Sequence, residues 1–126
     1  MEHKIKKLIV TGGAGFIGSH FVKLSIEKGF RVTVIDKLTY SGSLETLNDV
    51  RNNKNFEFFH GSIIDDEFLL KIFSEQQYDA IINFAAETHV DRSIENSADF
   101  VLANVLGVQK LLDHSIDLYK KNQSFK

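Results

Sequence analysis

The chain alternates between short apolar runs and longer segments in which apolar residues recur every three or four positions. Short apolar runs between polar breaks are typical of buried strands, and the longer spacing is typical of helices. The runs predict strands at residues 7–11, 31–35, 56–60 and 80–85. The helical spacing predicts helices at 15–28, from 65 onward and at 97–121, with a shorter one at 44–50.

Two of the predicted helices have apolar faces that indicate how they pack. For the first helix we expect a buried face that includes Phe16, Ile17, Phe21, Leu24 and Ile26. The fourth predicted helix, 97–121, carries a broader stripe than a core requires. We interpret that stripe as partly core and partly a partner surface; its members are Val101, Leu102, Val105, Val108, Leu111, Leu112 and Ile116.

Strands that alternate with helices through short connections predict right-handed crossovers and a parallel sheet. The fold class is therefore α/β, a Rossmann-type doubly wound sheet with strand order 3-2-1-4. Residues 124–126 resemble the approach to a fifth strand. We therefore expect one domain, residues 1–126, that is truncated after about four strands and belongs to a longer protein.

Composition narrows the functional classes. A formal net charge of −2 argues against a nucleic-acid or membrane-surface binder, both of which normally carry a basic excess. No apolar stretch is long enough to span a bilayer. The absence of cysteine excludes disulfides and favours a cytoplasmic protein. The five histidines are scattered, so we expect no metal site.

The first candidate ligand-binding residues lie where the first predicted strand meets the first predicted helix. Gly12, Gly15 and Gly18 follow an apolar run and open a helical segment. In a dinucleotide-binding turn, one glycine permits the sharp turn, another lets a pyrophosphate approach the backbone, and the last lets helix and strand pack closely. The free N–H groups and the positive dipole end of the helix then face the phosphates.

An acidic residue at the end of the second strand strengthens this interpretation. Asp36 lies about 20 residues beyond the glycines, as the dinucleotide fingerprint requires. Its carboxylate can accept hydrogen bonds from both adenosine ribose hydroxyls and would repel a 2′-phosphate, so we expect NAD rather than NADP. Lys37 follows directly, and its positive charge weakens the preference for NAD. The alternative is a flavodoxin-like turn with a fortuitous acid.

The chain resembles the extended short-chain dehydrogenase/reductase family, and within it the nucleotide-sugar 4,6-dehydratases. Three blocks and Asn104 carry the resemblance; the blocks are residues 11–19 (TGGAGFIGS), 35–42 (IDKLTYSG) and 83–93 (NFAAETHVDRS). The first block is shared by the whole family, whereas the second and third are more specific. The resemblance covers nearly the whole chain, from residue 8 to about residue 112.

The resemblance implies roles for several further residues in NAD binding. It places Phe16 and Ile17 at the pyrophosphate turn, and Ser62 and Ile63 beside the adenine. It implies that the adenosine ribose is held by Asp36, Lys37, Leu38 and Thr39. It implies that the nicotinamide side is lined by Phe84, Ala85, Ala86, Glu87 and Thr88, and that Thr88 also touches the hexose of a nucleotide sugar.

Two positions depart from the family pattern. Ser62 stands where family members usually have Asp, and Ala103 stands where a threonine usually contacts the cofactor. Both changes would weaken contacts with NAD without abolishing the site.

Catalytic residues are not assigned within the chain. The family acts through a Tyr-x-x-x-Lys pair, but the residues four positions after Tyr40, Tyr78 and Tyr119 are not lysine. We therefore expect the catalytic pair and the substrate domain to lie outside the chain, and the chain alone to be inactive.

The resemblance implies the NAD-binding part of a lyase that converts dTDP-glucose to its 4-keto-6-deoxy form. That reaction proceeds through transient hydride transfer to NAD and elimination of water. The resemblance also implies a homodimer through the fourth predicted helix of the full-length protein. The alternatives are the NAD-binding part of a UDP-sugar epimerase or decarboxylase, and a non-catalytic NAD-binding module.

Overall fold

The computed structural model describes residues 5–38, 43–86 and 97–126. Four parallel strands form one sheet: β1 (Lys7–Thr11), β2 (Arg31–Asp36), β3 (Phe56–His60) and β4 (Ala80–Asn83). Their spatial order is β3-β2-β1-β4, so the chain reverses direction across the sheet between β1 and β4. The predicted Rossmann-type strand order is confirmed.

The helices occupy the predicted segments. They are α1 (Phe16–Glu27), α2 (Asp66–Glu75), α3 (Ser97–Val101) and α4 (Gly107–Lys121). A π-helical segment, Leu102–Leu106, joins α3 to α4, so the predicted helix at 97–121 contains one widened turn. The short helix predicted at 44–50 is a 3₁₀ turn at Leu44–Leu47.

The fourth strand is shorter than predicted. It ends at Asn83 rather than at residue 85. The amide of Ala85 lies 3.1 Å from Asn83 Oδ1 and 3.4 Å from Thr11 Oγ1, so side chains rather than a neighbouring strand accept its hydrogen bond. An asparagine side chain that bonds the backbone two residues on diverts the chain into a turn.

Apolar residues fill both sides of the sheet, as a parallel sheet covered by helices requires. Leu8 and Val10 of β1 lie on the side of α1, packed with Val22 and Val34. Ile9 lies on the other side with α2 and α4; its cluster includes Ile35, Ile63, Leu69, Ile72, Leu111 and Leu118.

The face that α1 buries differs from our expectation. Phe16, Ile17 and Leu24 are 79%, 68% and 50% exposed, and only Ile26 of the predicted face is fully buried, with Phe21 half-buried. The buried residues are Gly18, Ser19, Val22, Ser25 and Ile26. Small residues at the start of the helix let it pack directly on the sheet, and this rotates the larger apolar side chains outward.

The apolar stripe of α3 and α4 has a buried part and an exposed part. Leu111 and Leu118 are buried in the core. Five large side chains along another flank are each 50–63% exposed and are hereafter called the exposed stripe: Val101, Val105, Leu112, Ile116 and Tyr119. The helix therefore has one face in the core and a second apolar face in solvent.

The last residues run beside β4. The amide of Lys126 donates to the Asp79 carbonyl at 2.9 Å, and the amide of Ile81 donates to the Lys126 carbonyl at 2.8 Å. This alternation is the pattern of a parallel ladder. It agrees with the expected approach to a fifth strand. Over the ranges described above, none of the helices has the length and apolar character needed to cross a membrane.

Candidate functional site

A cleft lies at the carboxyl edge of the sheet, where the chain reverses between β1 and β4. Such a reversal is where open α/β sheets bind ligands. The cleft encloses about 760 Å³, including space open to solvent. Its walls come from the segments that follow the four strands and from α3 and the π-helical segment.

Gly12 makes the turn after β1, and no other residue fits there. Its φ is +69°, in the left-handed region. A Cβ at this position would lie 2.6 Å from both the Phe84 carbonyl carbon and the Ala85 amide nitrogen. Gly12 therefore lets the turn after β1 pack directly against the segment after β4.

Gly18 allows a different close contact, between α1 and the turn. A Cβ on Gly18 would overlap the Gly12 carbonyl oxygen, so α1 can approach the turn this closely only with glycine here. The two glycines thus have the separate steric functions that the motif predicts.

The first turn of α1 presents its backbone to the site. Gly15 precedes the helix in an extended conformation, with φ −75° and ψ 175°, and no side chain caps the helix. The first helical amide bond is donated by Ser19 to the Gly15 carbonyl at 2.9 Å. The amides of Phe16, Ile17 and Gly18 precede that bond, and such amides are available to an anion.

The exposed side chains of Phe16 and Ile17 follow from this geometry. Among the described residues, the cleft is lined by Gly12 and Gly15 but not by these two side chains. Any contribution they make to binding must therefore come from their amides.

Asp36 connects the glycine turn to the end of β2. Its Oδ2 accepts a hydrogen bond from the Ala14 amide at 3.0 Å, and its Oδ1 accepts one from the Leu38 amide at 2.8 Å. Leu38 has a φ of +54°, an unusual conformation for leucine. Each carboxylate oxygen has two acceptor positions, so both oxygens keep capacity for a ligand. Asp36 also lines the cleft, so a ligand can reach it.

Ala14 is held on its other side as well. Its carbonyl accepts hydrogen bonds from the Ser43 amide at 3.2 Å and from Thr46 Oγ1 at 2.8 Å. The sequence analysis did not identify Ser43 or Thr46 as part of the site. No spacing rule could have found them, because the contact depends on how the segment after β2 folds back onto the turn.

The segment after β3 forms the next part of the wall. The Gly61 amide donates to the Asp36 carbonyl at 3.1 Å, and Ser62 Oγ accepts from the Ile64 amide at 3.3 Å. Ser62 and Ile63 line the cleft beside Lys37, as expected for residues near one end of a ligand. Ile35, Gly61 and Ile64 also line it but were not expected to.

The remaining wall comes from the segment after β4 and from the helix that follows. Phe84, Ala85 and Ala86 line the cleft. Ala103, where the family usually has a cofactor-contacting threonine, lines the cleft as well, together with Asp99 and Leu102, which the sequence did not single out as cleft residues. Their spacing of three and four places them on one helical face, a signal that the sequence contained.

Three predicted members of the site lie outside the described residues. They are Thr39, which follows Leu38, and Glu87 and Thr88, which follow Ala86.

The groups whose pKa is shifted lie away from the cleft. A hydrogen bond from Lys110 holds the pKa of Asp66 below its usual value of 3.8, with a further contribution from His114. Burial raises the pKa of Tyr78, which lies in the core just before β4, at the end of the strands away from the cleft. No group of acidic, histidine or cysteine side chains suited to a metal occurs within residues 5–38, 43–86 and 97–126.

The chain is similar to several enzymes that are named for their action on nucleotide sugars. The chain is 46% identical over 112 residues to dTDP-glucose 4,6-dehydratase of Xanthomonas campestris, covering 89% of this chain and 32% of that protein. It superimposes on the dTDP-glucose 4,6-dehydratase DesIV of Streptomyces venezuelae, crystallised with NAD bound. The TM-score is 0.83 at 42% identity, over 89% of this chain and 36% of that one.

An epimerase is similar as well. UDP-glucose 4-epimerase of Thermotoga maritima superimposes with a TM-score of 0.80 at 39% identity, over 89% of this chain and 34% of that one. The chain thus spans about a third of the length of each relative. The family described as GDP-mannose 4,6 dehydratase matches residues 9–126. The chain therefore belongs to this family of extended short-chain dehydrogenases/reductases.

Proposed function

We propose that the chain is the NAD-binding part of a nucleotide-sugar 4,6-dehydratase. The observation that carries the proposal is the direct connection of the glycine turn to Asp36 through the Ala14 amide, at 3.0 Å. This connection sets a phosphate-binding helix start beside a sugar-binding carboxylate. The separation between them is therefore fixed before a ligand arrives, which lowers the entropic cost of binding.

The strand order supports one orientation of the dinucleotide. Because the order is β3-β2-β1-β4, the strand ends follow one another along the edge of the sheet. The glycine turn after β1 would hold the pyrophosphate, and Asp36 at the end of β2 would hold the adenosine ribose. Ser62 and Ile63 after β3 would then flank the adenine, and the segment after β4 would face the nicotinamide.

Asp36 also favours NAD over NADP. Both of its oxygens already accept backbone hydrogen bonds, so the carboxylate is fixed in place. A 2′-phosphate on the ribose would bring up to two negative charges against this fixed carboxylate. Lys37 lines the same part of the cleft and offsets a fraction of that repulsion.

In a 4,6-dehydratase the bound dinucleotide takes hydride from C4 of the glucosyl group and returns it to C6 after water leaves across C5 and C6. The role of this chain in that reaction is to hold and orient the dinucleotide. Ala85 and Ala86 are small, so the nicotinamide could lie close to the backbone after β4. The resemblance implies that Thr88 would touch the hexose.

The dehydratase assignment is preferred to the epimerase. Several curated relatives, 42–46% identical to the chain, are dTDP-glucose 4,6-dehydratases. Among the superimposed structures, DesIV is 42% identical and the Thermotoga epimerase 39%. The block at residues 83–93 also follows the dehydratase pattern. dTDP-glucose is the proposed substrate of the whole protein, and UDP-sugar epimerisation is the alternative.

The exposed stripe supports a further part of the proposal, a homodimer through α3 and α4. Five large apolar side chains along one helical flank are each at least half exposed. A contiguous exposed apolar face of this kind marks an interaction surface. The expected cytoplasmic location belongs to the same proposal.

Two experiments test the proposed function. Isothermal titration calorimetry of the chain with NAD and with NADP should give saturable binding of NAD and weaker binding of NADP. In the second, residues 9–112 replace the matching third of the Xanthomonas dehydratase and, separately, of the Thermotoga epimerase. We expect the first chimera to convert dTDP-glucose to the 4-keto-6-deoxy product, and the second to be the poorer enzyme.

The Asp36→Ala chimera is the matched control and should lose activity at low NAD concentrations. Failure of the chain to bind NAD would contradict the cofactor assignment. An active epimerase chimera beside an inactive dehydratase chimera would favour the alternative.

A further inference from the structure

Gly107 lies at a junction that a larger residue would disturb. It is buried at the start of α4, and its amide donates to the Leu102 carbonyl, which closes the π-helical segment. A Cβ at Gly107 would overlap Ile63 Cδ1 and would lie 2.6 Å from Ile63 Cγ1. A larger residue at position 107 could therefore be accommodated only if the Ile63 side chain moved.

Ile63 is part of both the core and the cleft. It is only 6% exposed and packs within the cluster that contains Ile9, Ile35 and Leu69. It also lines the cleft at the segment after β3. Because tightly packed core residues leave little space behind it, a push from Gly107 would move Ile63 toward the cleft.

The π-helical segment shapes the same part of the wall. Leu102 and Ala103 line the cleft, and the segment that contains them ends at Gly107. π-Helical turns within helices are frequent at functional sites because they redirect side chains without breaking the helix. The contact of Gly107 with Ile63 therefore joins the wall formed by this segment to the wall after β3.

We propose that Gly107 is a positioning residue that sets the width of the slot for the dinucleotide's base, by allowing Ile63 to stay against the core. The inference rests on the proposed function, since it assumes that the base lies beside Ser62 and Ile63. It predicts that the slot selects ligands by the size of the base.

The test compares NAD with 1,N6-etheno-NAD, whose adenine carries an additional fused ring. Dissociation constants are measured by calorimetry on the wild-type chain and on Gly107→Ala. Alanine favours a helix over glycine, so the backbone of α4 tolerates the change. We expect Gly107→Ala to weaken NAD binding by about fivefold or more, and etheno-NAD binding by a larger factor.

Further variants distinguish a change in the width of the slot from a general loss of structure. Ile63→Val removes Cδ1, the atom nearest to the added methyl group, and should restore part of the lost affinity in the Gly107→Ala background. Ile63→Val alone should reduce the difference between the dissociation constants of NAD and etheno-NAD. Gln109→Ala changes an exposed position on the same helix and should leave both dissociation constants unchanged.

The ratio of the two dissociation constants decides the outcome, because both ligands are measured on the same variant. An equal loss for both ligands in Gly107→Ala, without recovery on adding Ile63→Val, would overturn the inference. An unchanged ratio in Ile63→Val alone would overturn it even if Gly107→Ala did not fold. If the wild-type chain binds NAD but the ratio never changes, only this inference fails. If it binds neither ligand, the proposed function fails and this inference fails with it.

Discussion

The glycine turn and the long C-terminal helix differ in how much of each is packed against the rest of the chain. In the turn, Gly12 packs against the Phe84 backbone and Gly18 against the Gly12 carbonyl, while the Ala14 amide is bonded to the Asp36 carboxylate. In α3 and α4, two leucines reach the core while the exposed stripe faces solvent. The turn is complete within the described chain, whereas the helix presents an apolar surface beyond what this core uses. Substitutions should therefore be costly throughout the turn but costly on only one face of the helix.

The largest effect is expected for Gly12→Ala. The left-handed φ and the collision with the backbone after β4 should together lower the free energy of unfolding by about 2–5 kcal/mol. Gly29→Ala is the matched control, because Gly29 also has a positive φ, +93°, but a Cβ there would meet nothing within 4 Å. It should cost about 1–2 kcal/mol. Urea unfolding followed by circular dichroism measures both, and equal costs would contradict the proposed close approach.

The next prediction contrasts neighbours on α4. Leu111 is 3% exposed and Leu112 is 59% exposed. Leu111→Ala should lower the free energy of unfolding by about 2–4 kcal/mol. Leu112→Ala should change the free energy of unfolding of the monomer by less than about 0.5 kcal/mol. Sedimentation velocity of Leu112→Glu tests the second face: self-association should weaken, and association equal to wild type would remove the exposed stripe from the interface.

Asp36→Ala should have a smaller effect on stability than Gly12→Ala but a clear one on binding. Two backbone amides lose a charged acceptor, which should cost about 1–3 kcal/mol in the unfolding free energy. NAD affinity should fall in the same variant. Asp49→Ala is the control, since its side chain is 79% exposed and its carboxylate pairs with Lys23 on the surface at 3.2 Å. That change should have little effect on either measurement.

The smallest effect concerns pH and the contact between α2 and α4. Lys110 and His114 hold the pKa of Asp66 below 3.8, so the pair stabilises the fold while Asp66 is ionised. This contribution is present above the unfolded pKa and is lost as the pH falls through the lower folded value. Asp66→Asn should therefore be slightly less stable than wild type at pH 7, and the gap should close below about pH 3.8. A gap that widened in acid would contradict this assignment.

The sequence predicted the fold well because its strongest signals are local. Apolar runs located β1 and β3 at their observed bounds, and the glycine spacing located the turn. The face of α1 was wrong because hydrophobic spacing gives weight to Phe16 and Leu24, whereas Gly18 and Ser19 determine which side can approach the sheet. The extra length predicted for β4 has a similar origin, since the Asn83 side chain competes with the strand ladder.

The site was less predictable than the fold. Asp36 was identified by its distance from the glycines, but its bonds to Ala14 and Leu38 depend on tertiary structure. The contacts of Thr46 with Ala14 and of Gly107 with Ile63 join residues separated by more than thirty positions. Single-sequence patterns hold no record of such contacts. The NAD-binding roles of the individual residues stay predictions.

The most direct test of the central claim is a titration of the isotope-labelled chain with NAD, followed by proton–nitrogen nuclear magnetic resonance. If the start of α1 binds the pyrophosphate, the amide signals of Phe16, Ile17 and Gly18 should shift most. The amides of Ala14 and Leu38, which are bonded to Asp36, should shift with the same dissociation constant. Saturable binding that leaves these five amides unmoved, or no binding at all, would contradict the account.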